Sequence, residues 1–123
     1  MTKYYESVFL SNSSSGRLIN STAIASPGQT LHTVATGSTL ICDEVYVYGV
    51  NNSTHDRLVT IEWGSTAVGN NITFPLPSSG GLYTIVPGLR AGSGMSVAAF
   101  SASSSSVGGV NFGGYVNRIS SAT

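Results

Sequence analysis

No stretch of about ten residues in this chain carries the 3.6-residue apolar period of a helix together with helix caps. What recurs instead is a short run of β-branched and aromatic residues, closed off by Gly, Pro, Asn or Ser at the spacing of sandwich and barrel strands. The chain must therefore build its core from alternate side chains of strands. Runs of this kind predict strands over Tyr4 to Leu10, Thr30 to Ala35, Leu40 to Val50, Leu58 to Trp63, Ile72 to Leu76, Leu82 to Val86, Met95 to Ser101 and Val110 to Ile119. Eight strands in 123 residues suit one all-β domain, a single two-sheet antiparallel sandwich, and a chain of this length has apolar area for one core only.

The clearest alternation sets Val59, Ile61 and Trp63 against Leu58, Thr60 and Glu62, one face inward and the other partly wet. Ile72, Phe74 and Leu76 repeat the period, and Pro75 and Pro77, which donate no ladder hydrogen bond, place that strand at a sheet edge or end it. The polar run Asn51 to Asp56 reads as a hairpin loop in which Asn takes positive φ, and Pro27-Gly28 and Pro87-Gly88 read as type II turns.

Ahead of the sandwich, Ser11 to Ser26 is rich in Ser and Asn and low in aromatics, so it has too little apolar area to order itself alone. This predicts an N-terminal arm over residues 1–28 and a sandwich domain over residues 29–123. Tyr4, Tyr5, Val8, Phe9 and Leu10 form an apolar anchor at the head of the arm and are the candidate assembly contacts. They have two possible uses: covering another chain, or adding a strand to their own sheet.

Charged residues make up only 8% of the sequence, against roughly 25% in an ordinary soluble domain. Ser, Thr, Asn and Gly supply the polar surface instead, and such neutral groups are less costly to desolvate than charges. Five basic residues balance five acidic ones, so no field exists to gather a phosphate backbone or an anionic membrane, and direct nucleic-acid binding is not expected. No apolar run is long enough for a membrane-spanning helix. The opening Met1 to Glu6 lacks the apolar region of a signal peptide, which predicts synthesis and folding in the cytosol. The single Cys42, in an apolar run, reads as a small buried hydrophobe.

Chemistry finds little to work with. A nucleophile elbow needs Gly-x-Ser-x-Gly between strand and helix, and Gly92-Ser93-Gly94 is only a turn. Gly64 to Gly69 is followed by Asn70-Asn71, not by the Lys of a phosphate loop. The two histidines, His32 and His55, each lack the second His of a sandwich metal site, so His32 reads as a hydrogen-bonded strand residue and His55-Asp56 as a solvated turn. No cofactor is expected. Of the carboxylates Glu6, Asp43, Glu44, Asp56 and Glu62, the adjacent Asp43 and Glu44 point to opposite faces of a strand. They form no catalytic pair, although one of them could face inward and meet Arg90 or Arg118. Trp63 shares a face with Val59 and Ile61, a core pattern, while Tyr46 and Tyr48 share one face of their strand, inside or outside. A non-enzymatic role in binding and assembly is the expectation.

The run Ser26 to Val34 (SPGQTLHTV), followed by Asp43 to Asn51 (DEVYVYGVN), Leu58 to Gly64 (LVTIEWG), Ile85 to Leu89 (IVPGL) and Gly114 to Ile119 (GYVNRI), resembles the order of segments in small virion proteins of tailed bacteriophages. The likeness covers about Leu10 to Ile119 and is closest to capsid decoration, or cement, proteins with a jelly-roll or related sandwich fold. It implies a jelly-roll-like sandwich that forms a homo-oligomer, most often a trimer. It further implies seating on the major capsid protein at the outer capsid surface of the virion, after assembly in the host cytoplasm. No capsid-contact residue carries over from it. The competing expectation is a receptor- or glycan-binding sandwich of a phage fibre or tail, using exposed tyrosines and Asn-rich loops.

Overall fold

The computed structural model describes residues 3–102 and 109–121. The described residues form nine strands: β1 (Lys3–Phe9), β2 (Ile19–Asn20), β3 (Gln29–Thr33), β4 (Leu40–Asn51), β5 (Arg57–Trp63), β6 (Asn71–Leu76), β7 (Leu82–Ala91), β8 (Ser96–Ala102) and β9 (Val110–Ser121). They pair as one long folded ribbon, β1 with β9, β3 with β8, β4 with β7 and β5 with β6, all antiparallel. Rolling the ribbon sets β9 beside β4 and β8 beside β5. Two sheets result, β1-β9-β4-β7 with β2 attached to β9, and β3-β8-β5-β6. With β2 set aside this nested order is jelly-roll wiring.

The alternation that predicted the strands decides what fills the space between the sheets. Val45 and Val47 of β4, Phe112 and Val116 of β9, Val59 and Ile61 of β5, and Val97 and Ala99 of β8 all enter one core with Leu31, Leu76 and Val86. Each large side chain of this set contributes on the order of 1.5–3 kcal/mol by leaving water. Trp63, at the end of β5, is half-buried and packs against the same core. The opposite face of β5 is drier than expected: Thr60 and Glu62 are buried because β5 is an inner strand and the chain around Ser26 and Gly28 lies over Glu62. As expected, β6 is an edge strand, with Pro75 opposite Leu58.

Three turn expectations are corrected. Asn51–Asp56 does not close a hairpin, because β4 and β5 belong to different sheets; Asn51 ends β4 and is buried. Its side-chain amide donates to the carbonyls of His55 (2.8 Å) and Leu76 (3.0 Å), which ties the sheet crossover together. Pro87-Gly88 lies inside β7, which runs on to Ala91, and the pairing with β4 jumps from Pro87 to Leu89, so Gly88 at φ 102° is a bulge. Pro survives there because β7 is a sheet edge. Gly28 lacks the positive φ of a type II turn; it is instead pressed against Ala99, where a β-carbon would come within 2.7 Å of main-chain atoms.

Of residues 1–28, expected as an arm, the described residues 3–28 join the sandwich along their length. β1 takes the second of its two expected uses, pairing with β9 at seven positions, and Leu10 is 0% exposed in the core. β2, which was not anticipated, inserts Ile19 into that core and pairs with Phe112 and Asn111. The Ser and Asn side chains between them act as hydrogen-bonding links. Asn12 Nδ2 donates to Thr30 O (2.6 Å), Ser11 Oγ accepts from Thr33 N (2.8 Å), and Ser13 Oγ donates to Arg17 O (2.7 Å). Two buried side chains and a neighbouring strand order a segment that its own composition could not.

Candidate binding face

The outer face of the β1-β9-β4-β7 sheet carries alternate residues of each strand, and the register lines them up in rows. Phe9 sits opposite Tyr115, Tyr115 opposite Tyr46, and Tyr46 opposite Pro87, one aromatic or apolar residue from each of β1, β9, β4 and β7. The Tyr46 and Tyr115 rings stack at 4.8 Å between centroids and 13° between planes, and Tyr48 lies 6.5 Å from Tyr115. Such stacking lets amphipathic rings cover one another while their hydroxyls stay wet. The Gly88 bulge makes room for the row's end, since a β-carbon there would approach the Tyr46 phenol to 3.0 Å. Leu18, exposed, leans over Gly113, and the turn at Gly16 rests against the Phe9 ring.

A polar row runs beside the aromatic one. Ser7 is opposite Asn117, Asn117 opposite Glu44, and Glu44 opposite Arg90. The Tyr46 hydroxyl donates to Glu44 Oε1 (2.9 Å), Asn117 Nδ2 donates to the same oxygen (3.4 Å), and Arg90 Nε is 3.8 Å from Oε2. The hydrogen bond from Tyr46 and then that from Asn117 hold the Glu44 carboxyl below its usual value, against partial desolvation. The same bond to Glu44 pushes the Tyr46 phenol up, and desolvation does so for Tyr115. These three groups are uncharged or internally compensated at neutral pH. The face is thus a band of stacked rings bordered by amides and one screened ion pair.

The five anticipated contact residues separate. Tyr5 and Phe9 point to this outer face and are 69% and 57% exposed. Tyr4 and Val8 lie on the opposite side of β1, with Tyr4 exposed and Val8 packed on the core. Leu10 is consumed by the core, so it is not available as a contact. A groove of about 380 Å³ lies beside β1, lined by Glu6, Ser7, Val8, Phe9, Tyr115 and Arg118.

The titratable groups are spread through the fold. Asp43 faces inward and accepts from Arg118 Nε (2.9 Å) and Nη2 (3.0 Å), while His32 Nε2 lies 2.7 Å from its Oδ2. The Ser11 backbone N–H donates to His32 Nδ1 (2.9 Å), which makes Nε2–H the donor to Asp43. His32 therefore has both nitrogens engaged, and it links β1's end, β3, β4 and β9. Of the two arginines weighed for the inward carboxylate, Arg118 meets Asp43 and Arg90 meets Glu44 outside. Glu62 accepts from Gly28 N (2.6 Å) and Ser26 Oγ (2.5 Å) and is the one titratable residue lining a pocket of about 190 Å³. Among the described residues no three His, Cys, Asp or Glu side chains gather as metal ligands. Cys42 is buried, as its apolar run predicted.

Tyr115 is the functional candidate that sequence reading missed. Its signal was present in the parity of β9: Phe112 and Val116 mark one side while Ile119 shares the other with Tyr115, so which parity is inward depends on the register with β4. Compared with protein-family models, with curated proteins and with solved structures, the chain matches none.

Proposed function

We propose that this protein is a non-enzymatic virion structural protein, a capsid decoration (cement) protein that binds the outer surface of a tailed-phage capsid as an oligomer and stabilises the shell. The observation that carries the reading is the outer face of the β1-β9-β4-β7 sheet. There Phe9, Tyr115, Tyr46 and Pro87 form one continuous apolar row beside an open strand edge. Interface cores favour tyrosine and phenylalanine and disfavour lone charges, and this face has that make-up. The near-neutral composition supports docking on another protein over steering toward polyanions.

The glycan-binding reading is less well supported, because a sugar platform presents an open ring face. Tyr46 and Tyr115 each turn one ring face to the other, and Trp63 packs on the core. The test is cosedimentation with the parent phage's capsids lacking accessory proteins. Saturable binding that raises the capsid's disruption temperature is expected. Glycan-array binding without capsid binding would replace the proposal with the alternative.

A further inference from the structure

Each sheet has two edges, and three of the four are blunted. β3 is five residues long and broken by a bulge between Thr30 and His32; β6 carries Pro75; β7 carries Pro87 and two register shifts. β1 has none of these devices: seven uninterrupted pairs with β9, no Pro and no Gly. An unprotected edge offers a row of free main-chain donors and acceptors to another strand. Its side chains are also unusual for an edge, with Tyr4, Tyr5 and Phe9 all exposed and Lys3 and Glu6 the only charges.

We propose that β1 pairs antiparallel with β1 of a second copy of this chain, about a two-fold axis passing through Ser7. The inference rests on the assembly reading only in taking β1 as an oligomer contact. When two such sheets join edge to edge, residues facing the same side must meet, so the axis falls on a residue. An axis on Glu6 sets two carboxylates directly opposite, and one on Tyr5 carries Phe9 past the end of the partner strand. An axis on Ser7 sets Tyr5 opposite Phe9 twice and Glu6 opposite Val8, with a small hydroxyl at the centre. The aromatic row then runs on across the axis, from Tyr46, Tyr115 and Phe9 to the partner's Tyr5. With equal numbers of basic and acidic residues, two copies meet no long-range repulsion. The two-fold contact gives even-numbered assemblies, unlike the trimer that the phage resemblance implies.

Sedimentation velocity over a wide concentration range tests this without capsids. The wild-type chain should show a two-chain mass, and Tyr5→Lys with Phe9→Lys should be monomeric, because like charges then face each other. Tyr5→Lys with Phe9→Glu should restore the dimer in a salt-sensitive form, since the introduced ammonium faces the introduced carboxylate in this register alone. If either double variant unfolds, as read by circular dichroism, Ser7→Cys replaces it: oxidation should link two chains through the axis, while Glu6→Cys should not. A monomeric wild type, a three-chain mass, a dimeric double-lysine variant or cross-linking through Glu6→Cys overturns the proposal. Capsid cosedimentation is scored separately. A dimer that ignores capsids sinks the decoration reading and leaves the pairing standing, and a monomer that binds capsids does the reverse.

Discussion

Arg118, Asp43 and His32 meet inside the sandwich, and the energetics of that meeting are set by burial. Asp43 is 0% exposed. Desolvation alone would raise its carboxyl, yet the hydrogen bonds from Arg118 and His32, with the Arg118 charge, together hold it below the ordinary value of 3.8. Removing one partner of a buried pair leaves a charge uncompensated, so Arg118→Ala should cost about 3 to 5 kcal/mol in chemical denaturation, far more than a surface pair. Because the folded carboxyl titrates below the unfolded one, its contribution is complete above the unfolded value. It is lost as pH falls through the folded value. The Asp43 contribution to unfolding free energy should thus be constant near neutrality and decline below about pH 4, and Asp43→Asn should flatten that acid limb. An unchanged limb in Asp43→Asn would show that other carboxylates set it. Sequence reading had reached the choice between Arg90 and Arg118 from strand parity alone. Register with β9, which no single strand encodes, made the choice. Trp63 is the other residue whose environment was partly legible: its face was right and its depth was not. Being half-buried, Trp63→Ala should cost about 2 to 3 kcal/mol, under the range of about 3 to 5 for a fully enclosed aromatic, with loss of the tryptophan emission that reports unfolding.

Strands themselves were legible wherever β-branched runs alternate: all eight anticipated runs are strands, seven within two residues at their ends, while β7 runs five residues past Val86. What escaped were features that depend on a neighbour. β2 has two residues and no period to detect; it exists because Phe112 and Asn111 offer an unpaired stretch of β9 beyond β1. The Pro87-Gly88 pair carries ordinary turn chemistry, and only β4 alongside converts it to a bulge within a ten-residue strand. β1 shows the same dependence. Its composition allowed either a mobile anchor or a strand, and β9 supplies the seven partners that decide. Deleting Thr2 to Leu10 should then damage the fold: burial of Leu10 alone is worth about 2 to 5 kcal/mol by analogy with large-to-small changes, before the lost ladder is counted. Thermal unfolding should show a lowered midpoint or no cooperative transition. A truncated chain that melts like the intact one would mean that β1 is a dispensable edge.

At the scale of the molecule, the jelly roll leaves its two outer sheet faces unequal. On the β3-β8-β5-β6 side the chain at Ser26–Gly28 covers Glu62, and on the other side Leu18 and the turn at Gly16 reach Gly113 and Phe9 while Tyr46, Tyr48 and Tyr115 stay partly exposed. If that row is the capsid contact, its energy should concentrate at the centre, on Tyr46 and Tyr115, where neighbouring side chains exclude water on both sides. Tyr115→Ala should weaken capsid binding by about 2 kcal/mol, roughly thirtyfold, as expected for an aromatic anchor. Arg90→Ala, at the exposed rim, should change it little and mainly alter its salt dependence. Both positions lie outside the core cluster, so melting should stay close to wild type. Equal effects at the two positions would point to an electrostatic contact, and no effect at either would move the interface to another face. If Tyr115→Ala instead loses binding to a glycan while capsid binding is intact, the stacked tyrosines serve a receptor and the decoration reading fails at its own site.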